Sequence, residues 1–166
     1  MKEKLIEIYK DYKKEVFNGW ENRDERIYKA TELLLKNDMQ DIAVDIAYSW
    51  MPTMLKHKGD FYEINKLIKK AGVEDLNIEE LTIFKSLVNN SIVGVSKTLS
   101  LCFPNKYAIW DSRVVKALNL KPISVNKIEM YMKYIQAIRL ASKELKASVR
   151  DIEMSAYKAG GANASK

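Results

Sequence analysis

The chain holds one cysteine, Cys102, in 166 residues. It can close no disulfide within itself, and this composition suits a reducing cytoplasm. It holds one histidine, His57. With one Cys and one His, a zinc site of the usual Cys/His kind cannot be assembled. Ser-His-Asp or Cys-His catalysis would depend on a residue set between Lys56 and Lys58, in what reads as an exposed loop. No Gly-rich phosphate loop of the Walker or dinucleotide type is present, so neither a cofactor nor a metal is expected. No apolar run approaches the roughly 18 residues of a membrane span. The charged start at Met1–Lys4 has no apolar stretch of the kind that opens a secretory leader. Only six Gly and three Pro occur, too few for a turn-rich β-sandwich.

What is there is helical. Hydrophobic residues make up 47% and charged residues 30%, a mixture able to build one core. Leu5, Ile8, Tyr9, Tyr12 and Val16 recur at helical spacing and predict a helix over 2–17, broken by Asn18-Gly19. A second helix is expected over 24–36, stopped at Asn37-Asp38. Residues 39–55 are apolar nearly all round and read as a central buried helix, with Pro52 ending or kinking it near Trp50. Trp20 and Trp50 are assigned to the core or its rim. Asp60 is placed to cap a helix ending at Gly72. Asn77 with Glu80 reads as a capping box for a helix through Leu87. Asn89-Asn90-Ser91 is a break. Pro122-Ile123-Ser124 opens a long helix on Ile128, Tyr131, Ile135 and Ile138, and Ser148 with Asp151 caps a last one ending at Gly160. The expected architecture is an all-α, compact multi-helix fold, one domain over 1–160 with a flexible tail over 161–166.

Lys and Arg number 28 against 22 Asp and Glu, a formal +6. That excess fits a nucleic-acid partner but does not require one. The stretch 92–118 is more specific. Gly94 is expected at a tight turn between a helix ending near Val88 and one opening at about Ser96, a helix-hairpin-helix whose backbone N–H groups approach a phosphate. The second helix stops at Pro104, and a connector through Tyr107 and Trp110 reaches Asp111, a good N-cap for a helix over 112–118. Lys97 and Asp111 would then each stand in the first turn of a helix. Should those helix starts meet, an amine and a carboxylate face one crevice. The positive potential there favours an uncharged, nucleophilic Lys97, while a carboxylate stabilises the positive charge that develops on a sugar as its base leaves. Trp110 or Tyr107 would stack on a base turned out of the duplex, although for Trp110 packing under the hairpin is the favoured reading. Arg113, Lys106 and Lys116 are candidate phosphate contacts, and Cys102 reads as inert core.

Gly94-Val95-Ser96-Lys97-Thr98, followed by Ile109-Trp110-Asp111-Ser112-Arg113-Val114, resembles the helix-hairpin-helix DNA glycosylase superfamily. In that family a Gly-rich turn precedes a catalytic lysine, and a hydrophobic-Asp-Thr/Ser-x-Val motif follows a connector. This chain has the single Gly94 in the turn and a shorter connector. The resemblance implies an all-α fold, Lys97 as nucleophile, Asp111 as the essential carboxylate, and DNA contacts from Gly94 and Ser96. It also implies base excision on duplex DNA, with or without lyase cleavage, by a protein expected to be monomeric and cytoplasmic with no membrane partner. Two other readings stand beside it: a non-catalytic helical DNA-binding module, and a phage- or defence-related helical interaction protein.

Overall fold

The structure, a computed structural model, describes residues 1–17, 22–37, 39–49, 51, 53–56 and 59–162. Among them every regular element is helical and no strand occurs. The elements are α1 (Lys2–Phe17), α2 (Asn22–Lys36), α3 (Ile42–Ser49), α4 (Phe61–Val73), α5 (Ile78–Leu87), α6 (Ile92–Cys102) and α7 (Ser112–Ala117). A short 3₁₀ turn (Pro122–Asn126), α8 (Ile128–Leu145) and α9 (Val149–Ala162) complete the order. They group into two compact units: Met1–Trp20 with Pro104–Lys166, and Glu21–Phe103.

In the Glu21–Phe103 unit, α6 is the central helix, touching α2, α3, α4 and α5. Its sequence suits that place. Ser96 and Thr98 are fully buried and turn their hydroxyls back onto Val93 O at 2.9 Å and Gly94 O at 3.0 Å, so they pack as small side chains with satisfied polar atoms. Capping fixes the surrounding helix starts. Asp60 accepts from the N–H groups of Tyr62 and Glu63, and Asn77 and Glu80 form the full reciprocal capping box. The break before α6 is made by Asn89 and Asn90, at φ 54° and 52°, the left-handed region that asparagine tolerates best after glycine. Asn89 also ties a neighbouring loop, accepting from Lys56 N and donating to Met54 O, both at 2.8 Å.

In the other unit α1 packs on α8 and α9, while α7 packs on α9 and on the 3₁₀ turn. Leu5 and Ile8 of α1 are buried, and α8 buries Ile128, Tyr131, Ile135 and Ile138 at helical spacing. Ser148 Oγ accepts from Asp151 N at 3.0 Å at the start of α9. Helix α7 ends in a Schellman arrangement: Asn119 takes φ 55°, its N–H reaches Lys116 O, and Leu120 N–H reaches Val115 O.

Several boundaries differ from those the pattern predicts. Among the described residues of the apolar run 39–55, the regular structure is the eight-residue α3, and Met39 and Met54 at its flanks are exposed. The central place belongs to α6, whose hydroxyl-bearing sequence looks less apolar than it packs. The segment opened by Pro122 is a 3₁₀ turn, and α8 starts only at Ile128. Helix α9 runs through Gly160 and Gly161 to Ala162. The helix break at Asn18-Gly19, the stop at Asp38, Trp20, Trp50, Pro52, His57 with Lys58, and the tail from 163 lie outside the described residues.

Candidate functional site

Gly94 is not the hairpin turn. The turn is 88–91, with Asn89 and Asn90 supplying the left-handed conformations, and Ser91 caps α6 by accepting from Gly94 N at 3.1 Å. Gly94 is therefore inside the first turn of α6, with ordinary φ and a buried position. Its lack of a side chain serves packing. A Cβ there would overlap the hydroxyl of Tyr48 and lie 2.8 Å from two carbons of that ring. The buried Tyr48 hydroxyl itself donates to Val88 O at 3.0 Å, so it pins the start of α6 from beneath. Ser96 is likewise buried. The expected phosphate grip of Gly94 and Ser96 is thus replaced by a packing role, because α6 opens at Ile92, four residues earlier than the pattern implies.

The same shift moves Lys97. It is the sixth residue of α6 and not in its first turn, and a helix dipole acts mainly within the first turn. From Gly94 to Cys102 it is the one position that is not buried, half-exposed on an otherwise enclosed stretch of helix. Cys102 lies in the core as expected, and burial pushes its thiol up to about 12.

Asp111 belongs to the other unit and is half-buried at the N-cap of α7. Its Oδ1 accepts from Arg113 N and Val114 N, both at 3.0 Å. The second carboxylate oxygen takes no part in these cap bonds. The connector leading to Asp111 is held from both sides. Arg139 Nε donates to Lys106 O at 2.8 Å, and its guanidinium lies 5.2 Å from the centre of the Tyr107 ring. Lys106 Nζ lies 5.4 Å from the same ring. Tyr107 is 4% exposed and Trp110 0%, the latter packed 5.1 Å from the Tyr134 ring. Both aromatics are core residues in this conformation, which decides Trp110 for packing and leaves neither face of Tyr107 open to a base. Arg113 and Lys116 are exposed on α7, and the Arg113 guanidinium stands 4.5 Å over the Tyr157 ring.

Behind Asp111 is a buried polar group that the sequence reading missed. Glu153 of α9 is 1% exposed. One guanidinium nitrogen of Arg150 donates to both its carboxylate oxygens at 2.7 Å, and the Ile109 N–H reaches it as well. Burial raises the Glu153 carboxyl above its ordinary value against the opposing pull of Arg150, and the negative charge of Asp111 adds to the rise. Tyr134 is pushed well above the usual phenol range, first by burial and then by the charges of Glu153 and Asp111. Its hydroxyl has no hydrogen-bond partner among the described residues. Arg150 and Glu153 stand three apart, so their pairing was open to inspection. Nothing local marks Glu153 as buried except its neighbours Ile152 and Met154.

Among the described residues no group of three or more His, Cys, Asp or Glu could hold a metal, and no helix is long and apolar enough to cross a membrane. No family model, no curated protein and no solved structure matches the chain.

Proposed function

We propose that the chain is a small helical DNA N-glycosylase of the helix-hairpin-helix kind, with Asp111 as its essential carboxylate and Lys97 as the nucleophile of a lyase step. The reading rests on the resemblance over 92–118 together with one observation. Asp111 caps α7 through a single oxygen, at the end of a connector held by Arg139 and Glu153, on the more basic of the two units. A carboxylate so fixed stabilises positive charge on a deoxyribose as the N-glycosidic bond breaks and its electron pair leaves with the base. Water then adds at the sugar carbon and its proton goes to the departing base. In the lyase variant the Lys97 amine adds instead, and loss of the ring oxygen as a hydroxyl leaves a Schiff base.

Substitution at Asp111 separates capping from chemistry, because Asn caps a helix as well as Asp while Ala forfeits about 1 kcal/mol. Asp111→Asn is expected to keep the urea midpoint and to lose at least about 100-fold in release of lesion bases, on the order of the loss of one electrostatic stabiliser. Borohydride is expected to trap wild-type protein on abasic DNA and to trap no Lys97→Ala. Base release undiminished in Asp111→Asn sinks the assignment of the carboxylate; an absence of trapped species restricts the enzyme to simple hydrolysis.

The second reading, a DNA-binding module without catalysis, is favoured by the burial of both Tyr107 and Trp110 and by the enclosed Gly94. It predicts unchanged duplex affinity in Asp111→Asn and Lys97→Ala and no base release by the wild type on any of a panel of lesions.

A further inference from the structure

The positive charge of this protein is not spread over it. The unit of Met1–Trp20 and Pro104–Lys166 has 17 Lys/Arg and 9 Asp/Glu, a formal +8, whereas Glu21–Phe103 has 11 and 13, a formal −2. Within the basic unit the bias concentrates further. From 112 to 128 there is no acidic residue, although Asp111 and Glu129 flank the segment. Four cations fall in it, Arg113, Lys116, Lys121 and Lys127, and all four are exposed.

Several surface lysines elsewhere are paired with acids: Lys2 with Glu144, Lys4 with Glu7, Lys36 with Glu32, and Lys66 with Glu63. Lys116, Lys121 and Lys127 form no ion pair with any described residue, and Arg113 lies over the face of Tyr157.

The segment is also ordered. Arg113 and Lys116, three apart, share one side of α7, and the left-handed Asn119 turns the chain sharply into the 3₁₀ turn. Ser124 N reaches Lys121 O at 2.8 Å and Lys127 N reaches Ser124 O at 3.1 Å, closing that turn between the two lysines. On the turn stands Ile123, 59% exposed.

We propose that the edge formed by Arg113, Lys116, Lys121 and Lys127, with Ile123 between the last two, is the surface on which duplex DNA docks. This rests on the reading of the chain as a DNA-acting protein. Phosphates meet fixed cations with no nearby acid in the segment to repel them, and an apolar side chain between two of those cations fits the sugar wall of a groove. A membrane surface would ask for a broad apolar face, and this edge offers one side chain. Because Asp111 caps the helix that carries Arg113 and Lys116, DNA held here lies beside the proposed catalytic carboxylate.

The test is the salt dependence of binding to undamaged duplex. Reversing Lys116, Lys121 and Lys127 to Glu is expected to reduce the slope of log affinity against log salt by about three and to weaken binding at low salt at least about tenfold. Ile123→Ala is expected to weaken binding with the slope unchanged. A control with Lys36, Lys66 and Lys85 reversed carries the same net charge and is expected to keep the wild-type slope. The Gln versions of the three substitutions repeat the measurement should the Glu protein lose its helical circular dichroism. An unaltered slope in both triple variants, an equal loss in the control, no binding of duplex by the wild type, or tighter binding to single-stranded RNA or to phosphatidylserine vesicles than to duplex overturns the proposal. Base release by a wild type whose slope survives the three substitutions sinks the edge alone. A lowered slope in a protein that releases no base sinks the glycosylase reading alone.

Discussion

At the scale of single residues, Glu153 has the most consequential surroundings. A carboxyl 1% exposed, held by Arg150 and by the Ile109 N–H, still sits above its ordinary value because burial outweighs both partners. A carboxyl raised on folding holds its proton more firmly in the native state than in the unfolded chain. Its contribution to stability is therefore complete below the unfolded value, about 4.3, and is lost as the pH rises through the native one. Urea unfolding of the wild type is expected to show a stability decline beginning above that point, and Glu153→Gln to flatten it. Parallel pH profiles for the wild type and the Glu153→Gln protein would mean that Glu153 is not the group responsible. The sequence offered a hint here, a charged pair at i, i+3, but no means of knowing that one partner is enclosed. Asp111 is the opposite case. Its capping role was legible because the cap depends on residues two and three positions away.

At the scale of elements, two close helix approaches turn on glycines that the sequence does not distinguish from its others. A Cβ on Gly160 of α9 would overlap the carbonyl of Arg113 and stand 2.6 Å from its carbonyl carbon. Backbone cannot step aside, so α7 and α9 must separate. Gly160→Ala is expected to cost about 1–3 kcal/mol by overpacking, seen as a lower urea midpoint. A midpoint within error of the wild type would show that the crossing relaxes freely. The sequence pattern makes Gly94 a phosphate-gripping turn because Gly after a helix usually marks one. The structure uses two asparagines for the turn and sets Gly94 against Tyr48, a residue 46 positions earlier whose nearness no local pattern contains. The caps at Asp60, Asn77 and Ser148 were readable because their partners lie within three residues.

At the scale of the whole molecule, the chain's two ends build one unit and its middle builds the other. The first unit depends on contacts between α1 and the last two helices, far along the chain. Leu5, 0% exposed, is part of that closure. Leu5→Ala is expected to destabilise by about 2–5 kcal/mol, the usual range for truncating an enclosed leucine, and calorimetry is the suitable measure. An unshifted transition would mean that α1 adds little to its unit. The exposed salt bridge between Lys2 and Glu144 joins the same elements, but solvent screens such a pair and it does not replace the apolar contact.

By itself the sequence determined that the fold is helical, where most helices start and stop, that Asp111 caps one of them, and that Cys102 is core. All of these follow from periodicity, caps and composition acting over a few residues. Only the tertiary structure decided that α6 is the central helix of its unit, that Gly94, Ser96, Tyr107 and Trp110 are packed inside, and that Glu153 lies behind Asp111. It also decided that Arg113, Lys116, Lys121 and Lys127 all stand exposed. Those outcomes depend on which faces meet across long stretches of chain, and burial, unlike helix propensity, is a property of the partners and not of the residue.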